Sequence, residues 1–261
     1  MPLELLEILA GFGVGLLVGL TGVGGGALMT PLLLLLFGVA PATAVGTDLW
    51  FAGITKIFGS AAHARRDSID WEVARRLWTG SLPAAALTLA AMHLAGTGGH
   101  RDSTITTALG MVLLLTAAAM LARNHLHRLG RRLRLAEPGR FKRLQPAATV
   151  AAGAVLGVLV TLTSVGAGAL GAVMLMALYP LRMSPARLVG TDLVHAVPLT
   201  LLAGLGHLAM GHVQFALLGL LLMGAIPGVL LGARLCGRLP EAWLRSLIAA
   251  VLTFSALRLL R

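Results

Sequence analysis

One cysteine, Cys236, stands in 261 residues, which excludes an intrachain disulfide and any cysteine-built metal cage. Charged residues make up only 12% of the chain, about half the ~25% usual for a soluble domain, so a water-facing surface of ordinary polarity is excluded too. Aromatics are scarce at 5%, with a single tyrosine, and ten carboxylates face 21 lysines and arginines. HExxH, a GxSxG elbow and closely spaced inward carboxylates are all missing. That leaves no catalytic set, no metal-ligand cluster and no cofactor motif. The first residues, MPLELLEILAG, carry Glu4 and Glu7 and no basic leader region, so they do not read as a signal peptide.

What fills the chain is apolar: 57% of residues, with 33 glycines and a mean hydropathy of +0.88. Small residues in that abundance suit membrane helices that approach closely. Apolar segments run at about 5–20, 25–39, 43–63, 73–95, 103–122, 147–164, 168–180, 188–210, 213–235 and 242–260. Six reach the roughly 20 residues needed to cross a bilayer. The pairs 5–20 with 25–39 and 147–164 with 168–180 are shorter, each joined by a glycine-rich break, TGVGGG at 21–26 and TSVGAG at 163–168. Gly-interrupted short segments at matching places in two halves are the sequence pointer to a transporter site.

The halves do match. Leu20-Thr21 corresponds to Leu162-Thr163, and Val23, Gly24, Gly26, Ala27 and Leu28 to Val165, Gly166, Gly168, Ala169 and Leu170. After a two-residue insertion, Pro41-Ala42 corresponds to Pro185-Ala186 and Gly46-Thr47-Asp48-Leu49 to Gly190-Thr191-Asp192-Leu193. The register continues through His63 and His207, Gly80 and Gly224, Pro83 and Pro227. Agreement at Asp, His, Pro and Thr is not a by-product of a Leu/Ala-rich composition, so the chain holds a duplication. The expected fold is an all-α integral membrane protein of two repeats, each of about five helical segments with a Gly-rich hairpin. Residues 1–122 form the first transmembrane repeat, 123–146 a basic cytoplasmic linker, and 147–261 the second repeat.

The net charge of +11 does not signal nucleic acid, because eight of the 21 basic residues fall between Arg123 and Arg143 and most others in short gaps between apolar runs. That is how membrane orientation is written. If the short pairs are hairpins, the repeats are inverted and 17 basic residues share one side against three on the other, with Lys56 inside a helix. If each pair is one broken helix, the split is 14 against six. The positive-inside rule favours the inverted version, with the N-terminus outside and the linker in the cytoplasm.

Three sets of residues are candidates for function. Thr21, Gly24, Gly25 and Gly26, with Thr163, Ser164, Gly166 and Gly168, sit at the breaks, where glycine exposes backbone N–H groups and the following helix points its positive end at the tip. Free amides, that dipole and the hydroxyls make a cradle for an anionic substrate; the alternative is close helix packing through small residues. Thr47, Asp48, Thr191 and Asp192 lie about two turns into apolar helices that start at Pro41 and Ser184-Pro185. A carboxylate there marks function by default, either as an organiser that accepts hydrogen bonds from a hairpin's backbone or as a group that takes up a coupling proton. Lys56, His63, His195 and His207 are pathway candidates, the histidines 63 and 207 also suiting a capping or interface role. The basic linker fits a surface held against anionic lipid.

The residues 19–49, GLTGVGGGALMTPLLLLLFGVAPATAVGTDL, followed by His63, and the second copy at 161–193, TLTSVGAGALGAVMLMALYPLRMSPARLVGTDL, followed by His207, resemble the TauE/SafE-type sulfite exporters. The resemblance covers 5–260 apart from the basic linker. It implies an inner-membrane permease, not an enzyme, for small sulfur-containing anions such as sulfite or an organosulfonate. The second copy departs from the glycine-rich pattern at Ser164 and Ala167. The expected function is transport of a small anion, with the lipid bilayer, a coupling proton and a second copy of the chain as candidate partners. Two alternatives stand beside it: an uncoupled anion channel, and a non-transporting membrane scaffold or sensor.

Overall fold

A computed structural model describes residues 3–21, 26–63, 69–94, 100–166, 168–235 and 241–260. Ten helices account for nearly all of them: α1 (Leu3–Thr21), α2 (Gly26–Phe37), α3 (Pro41–His63), α4 (Trp71–Leu94), α5 (His100–Ala136), α6 (Pro138–Thr163), α7 (Ala169–Leu178), α8 (Pro185–Ala209), α9 (Phe215–Leu235) and α10 (Glu241–Leu259). No strand occurs among the described residues. A chain this apolar has no water to satisfy its backbone, and helices satisfy it within each segment. Among the described residues six helices (α1, α4, α5, α6, α8 and α9) are long and apolar enough to span a bilayer.

The structure corrects the expectation that both members of each hairpin pair are short. α1 has 19 residues and α6 has 26, whereas α2 has 12 and α7 has 10. At 1.5 Å per residue α7 is about 15 Å long, half the roughly 30 Å hydrocarbon core. Each hairpin therefore pairs a full-length helix with a half-length one. α6 is longer than its apolar run because it starts in the basic stretch, with Pro138 at its first turn where a missing N–H costs nothing. α5 overruns its apolar run in the same way. Residues 123–136 and 138–146 are thus helical extensions of α5 and α6, broken at Glu137.

The helices interlock across the two halves. α1 lies along α9, and α4 along α6; α3 packs on α8, α5 on α10, α5 on α7 and α10 on α2. By the register above, α1·α9 and α6·α4 are one contact made twice, with the halves exchanged. Glycines make it possible. A Cβ on Gly15 would meet the Ala225 carbonyl oxygen at 2.4 Å, and one on Gly157 would meet that of Ser81 at 2.3 Å. Backbones touch along both seams, the closest approach that small residues allow. Contacts advance together in these pairs: Gly11, Gly15 and Gly19 meet Leu221, Ala225 and Val229 in order. α1 and α9 therefore run parallel. α3 and α8 run antiparallel, since Trp50 meets Gly204 while Gly53 meets Thr200 and Leu201.

Large apolar side chains on the outside, among them Leu87, Leu121 and Met223, face outward as a lipid-solvated bundle requires. Trp71 and Trp243, which open α4 and lie near the start of α10, are also exposed.

Candidate functional site

The half-length helices aim the polar residues inward. At the second tip α6 ends on Thr163, and Ser164 takes the left-handed conformation (φ 59°) while donating its N–H to the Val160 carbonyl at 2.8 Å. A non-glycine residue in that region is uncommon. Gly166 and Gly168 follow with φ of 114° and 144°, values that a side chain would strain. The chain reverses between Thr163 and Ala169 and enters α7.

The tip's own groups are largely engaged with one another. The N–H of Val165 donates to Thr163 Oγ1 at 3.2 Å, those of Gly168 and Gly171 to the Gly166 carbonyl at 2.8 and 3.2 Å, and that of Ala172 to the Gly168 carbonyl at 2.9 Å. Thr163 Oγ1 donates to the Leu159 carbonyl at 2.6 Å, and Thr21 does the same in the first repeat, to Leu17 at 2.7 Å. Ser164 differs: its hydroxyl is buried without a hydrogen-bond partner among the described residues, on the side of the Asp48 carboxylate. At the first tip Gly24 and Gly25 lie outside the described residues, and Gly26 opens α2.

Asp48 is fully buried on α3. Its Oδ2 accepts from both the backbone N–H of Thr30, at 3.1 Å, and the Thr30 hydroxyl. Thr30 stands one turn after the first tip, on α2. Asp48 is thus fastened to the first hairpin through Thr30 on Oδ2, while Oδ1 has no hydrogen-bond partner among the described residues. Asp192 occupies the matching place on α8 and is just as buried, yet neither of its oxygens has a hydrogen-bond partner among the described residues. The reason is a single substitution between the halves: the counterpart of Thr30 is Ala172, which has no hydroxyl and gives its N–H to Gly168. Asp192 rests instead against Gly171, where a Cβ would meet Oδ1 at 2.4 Å.

Lys56, on α3, is the one lysine or arginine that is buried among the described residues. It interacts electrostatically with both Asp48 and Asp192. The antiparallel crossing of α3 on α8 explains this, because it brings Asp192 back along α3 toward the Lys56 end. His195, one turn after Asp192, is buried as well and pairs Nε2 with Ser81 Oγ of α4 at 2.9 Å. It too lies within electrostatic reach of Lys56. The core of the bundle therefore holds two carboxylates, one ammonium, an imidazole and two serine hydroxyls, supplied by α3, α4, α8 and the second tip.

The threonines of the two Gly-Thr-Asp motifs do something else. Thr47 Oγ1 accepts the backbone N–H of Gln214 at 3.1 Å, and Thr191 Oγ1 accepts that of Asp70 at 2.9 Å. These are the same bond in the two halves, each fastening the opposite half's link between its third and fourth helices. His207 is buried with Nε2 on the Thr161 carbonyl at 2.9 Å, and its ring centre is 5.5 Å from that of His212. It sits at the far end of α8 from Asp192. α3 ends at His63, whose side chain lies outside the described residues.

Sequence reading does not single out Thr30, Ser81 or the link-fastening use of Thr47 and Thr191. The signal for Thr30 is a lone hydroxyl one turn past a glycine break, but comparison of the halves hides it because Ala172 does not match. No group of histidine, cysteine and acidic residues able to hold a metal occurs among the described residues.

Comparison with known proteins agrees on one kind of protein. The family described as sulfite exporter TauE/SafE matches residues 7–259. The probable membrane transporter protein YjnA of Bacillus subtilis (strain 168) is 42% identical over 216 residues, which is 80% of this chain and 81% of that one. The probable membrane transporter protein MJ0441 of Methanocaldococcus jannaschii is 29% identical over 209 residues, 77% of this chain and 70% of the relative. No solved structure matches.

Proposed function

The chain belongs to the sulfite exporter TauE/SafE family of membrane transporters, and from that premise we propose that it carries a small oxyanion, a sulfur oxyanion or organosulfonate such as sulfite, through the polar cluster around Lys56. The observation that carries this reading is a fully buried ammonium and hydroxyl group at a place where a half-length helix ends inside the bundle. Intramembrane ionisable groups are costly, and a pathway is their usual reason. Several amides of the second tip bond within it, and this reading assigns Lys56 and Ser164 as the side-chain donors to the oxyanion.

Charge decides what must accompany the anion. With both carboxylates ionised, Asp48, Asp192 and Lys56 sum to −1, which repels a second anion. One proton on Asp192 brings the sum to zero and lets Lys56 turn toward the cargo. Asp48, held by two donors from Thr30, is the organiser; Asp192, without hydrogen bonds among the described residues, takes the proton. Each oxyanion then moves with one proton. The antiparallel packing of the equivalent helices α3 and α8 supports an inverted relation of the halves, and the positive-inside rule then puts both termini outside and the Arg123–Arg143 region in the cytoplasm of an inner membrane.

Proteoliposomes loaded with sulfite test the proposal. Efflux should respond to an imposed pH gradient and fall to background in Lys56→Gln, with the variant still folded by thermal melting. Efflux indifferent to the gradient would mark an uncoupled channel, and efflux that survives Lys56→Gln removes the cluster from the path. With Cys236 replaced by serine, impermeant maleimide on a single cysteine placed at Arg132 should react only from the cytoplasmic side.

A further inference from the structure

At the basic end of the bundle, away from the central cluster, four elements converge on a cavity of about 400 Å³, within the roughly 300–1,000 Å³ range of small-ligand sites. Arg76 comes from α4, Arg134 from α5, Lys142 from α6 and Arg182 from the link between α7 and α8. Facing them in the wall is one carboxylate, Glu72, and Asp70 stands behind Arg182. Four cations thus meet two acids.

The floor is fixed. Tyr179 is fully buried, its hydroxyl 2.8 Å from Thr149 Oγ1 and 3.4 Å from Arg76 Nη1. The guanidinium of Arg182 lies 5.9 Å from the centre of the Tyr179 ring and reaches Glu72 Oε2 at 2.7 Å and Asp70 Oδ1 at 2.8 Å. Arg134 is held by the Pro138 carbonyl at 2.8 Å, across the break between α5 and α6. Lys142 is different: it is exposed and pairs with no carboxylate among the described residues. Arg76 is paired as well, with Glu72, so the charge left unbalanced around this concave, polar space is that of Arg134 and Lys142, which repel each other unless an anion lies between them. Planar guanidinium forks at the rim suit the oxygens of a phosphate group, and an ammonium adds a point charge.

We propose that this cavity is a binding site for a phosphate-bearing anion, which engages Lys142 and Arg134 and competes with Glu72 for Arg182. Two sources offer that chemistry: the headgroup of an anionic phospholipid and a soluble phosphate compound. Binding is read on purified protein and needs no transport, so it stands apart from the substrate proposed above.

Two titrations at constant ionic strength separate the sources. In detergent, calorimetry with sodium pyrophosphate measures the soluble arm, with sodium chloride as the control. In nanodiscs or by native mass spectrometry, retention of phosphatidylglycerol against phosphatidylcholine measures the lipid arm. Whichever anion binds, Lys142→Glu should weaken it by about tenfold or more, as expected near ~1 kcal/mol for each basic charge lost at a surface and a further acid added. Glu72→Gln should tighten it, because the competitor for Arg182 is gone. Opposite shifts from two exposed positions cannot both come from misfolding. Binding of neither pyrophosphate nor phosphatidylglycerol above its control would overturn the proposal, as would Lys142→Glu binding like the wild type.

Discussion

Thr30 grips Asp48 twice, through its backbone N–H at 3.1 Å and through its hydroxyl, with both atoms buried in the bundle. The backbone bond survives any substitution that keeps the N–H, proline alone excluded, whereas the hydroxyl bond can be removed by itself. Thr30→Val keeps the shape and leaves a carboxylate oxygen short of one donor, at a cost of about 1–3 kcal/mol. Thr30→Ser restores the donor. The melting temperature of purified protein should therefore fall in the valine variant and recover in the serine variant. Equal melting of the two would mean that the hydroxyl bond does not hold the hairpin.

The two aspartates occupy equivalent positions and should answer the same substitution differently. Asp48→Asn can still accept both Thr30 donors on its one amide oxygen but loses the charge that strengthens those two bonds, so the variant should melt lower. Asp192→Asn removes a buried charge that has no hydrogen-bond partner among the described residues, so stability should hold or rise. Its flux, however, should lose its response to a pH gradient, because no titrating group remains at that place. A stable Asp48→Asn with an unstable Asp192→Asn would reverse the assignment.

The glycines of α1 divide by face. Gly15 sits where a Cβ would lie 2.4 Å from the Ala225 carbonyl oxygen, while Gly13 has nothing within 4 Å of the same added atom. Gly15→Ala must push α1 off α9 and should destabilise by about 1–3 kcal/mol, the usual cost of overpacking. Gly13→Ala, two residues away on the open face, should be neutral or slightly stabilising, since alanine is the better helix former. Thermal unfolding of the pair measures the seam directly.

Much of this frame is legible from the sequence, for a physical reason: apolar runs must be helices in lipid, and glycine, proline and Gly-Thr-Asp recur at one register. The ends of α5 and α6 are not legible, because hydropathy reports where lipid stops and not where the helix stops; an Arg- and Leu-rich stretch such as 123–136 keeps turning in water. The polar cluster is only half legible. Asp48 and Lys56 lie eight residues apart, about 12 Å along a straight helix, so the sequence keeps them separate from each other and from Asp192. It is the antiparallel packing of α3 on α8 that brings a carboxylate from the other half to Lys56. Thr30 escapes for the opposite reason, since the duplication that exposes Asp48 and Asp192 has alanine where its partner should be.

Thr47 and Thr191 give the two ends of the bundle matching fasteners with different surroundings. Thr191 accepts from Asp70, whose side chain is also gripped by Arg182; Thr47 accepts from Gln214, which is uncharged. Replacing one threonine by valine removes only the hydroxyl acceptor and leaves the volume. In Thr191→Val the Asp70 amide should exchange its hydrogen faster while the Gln214 amide is unchanged, and in Thr47→Val the reverse should hold, since exchange reports local opening. The increase should be smaller at Asp70, because Arg182 still holds that link by its side chain when the backbone bond is gone. Adding Arg182→Gln to Thr191→Val should then bring the Asp70 amide to the rate seen at Gln214 in Thr47→Val. If the single and double variants exchange alike at Asp70, the ion pair adds nothing to the closure of the basic end.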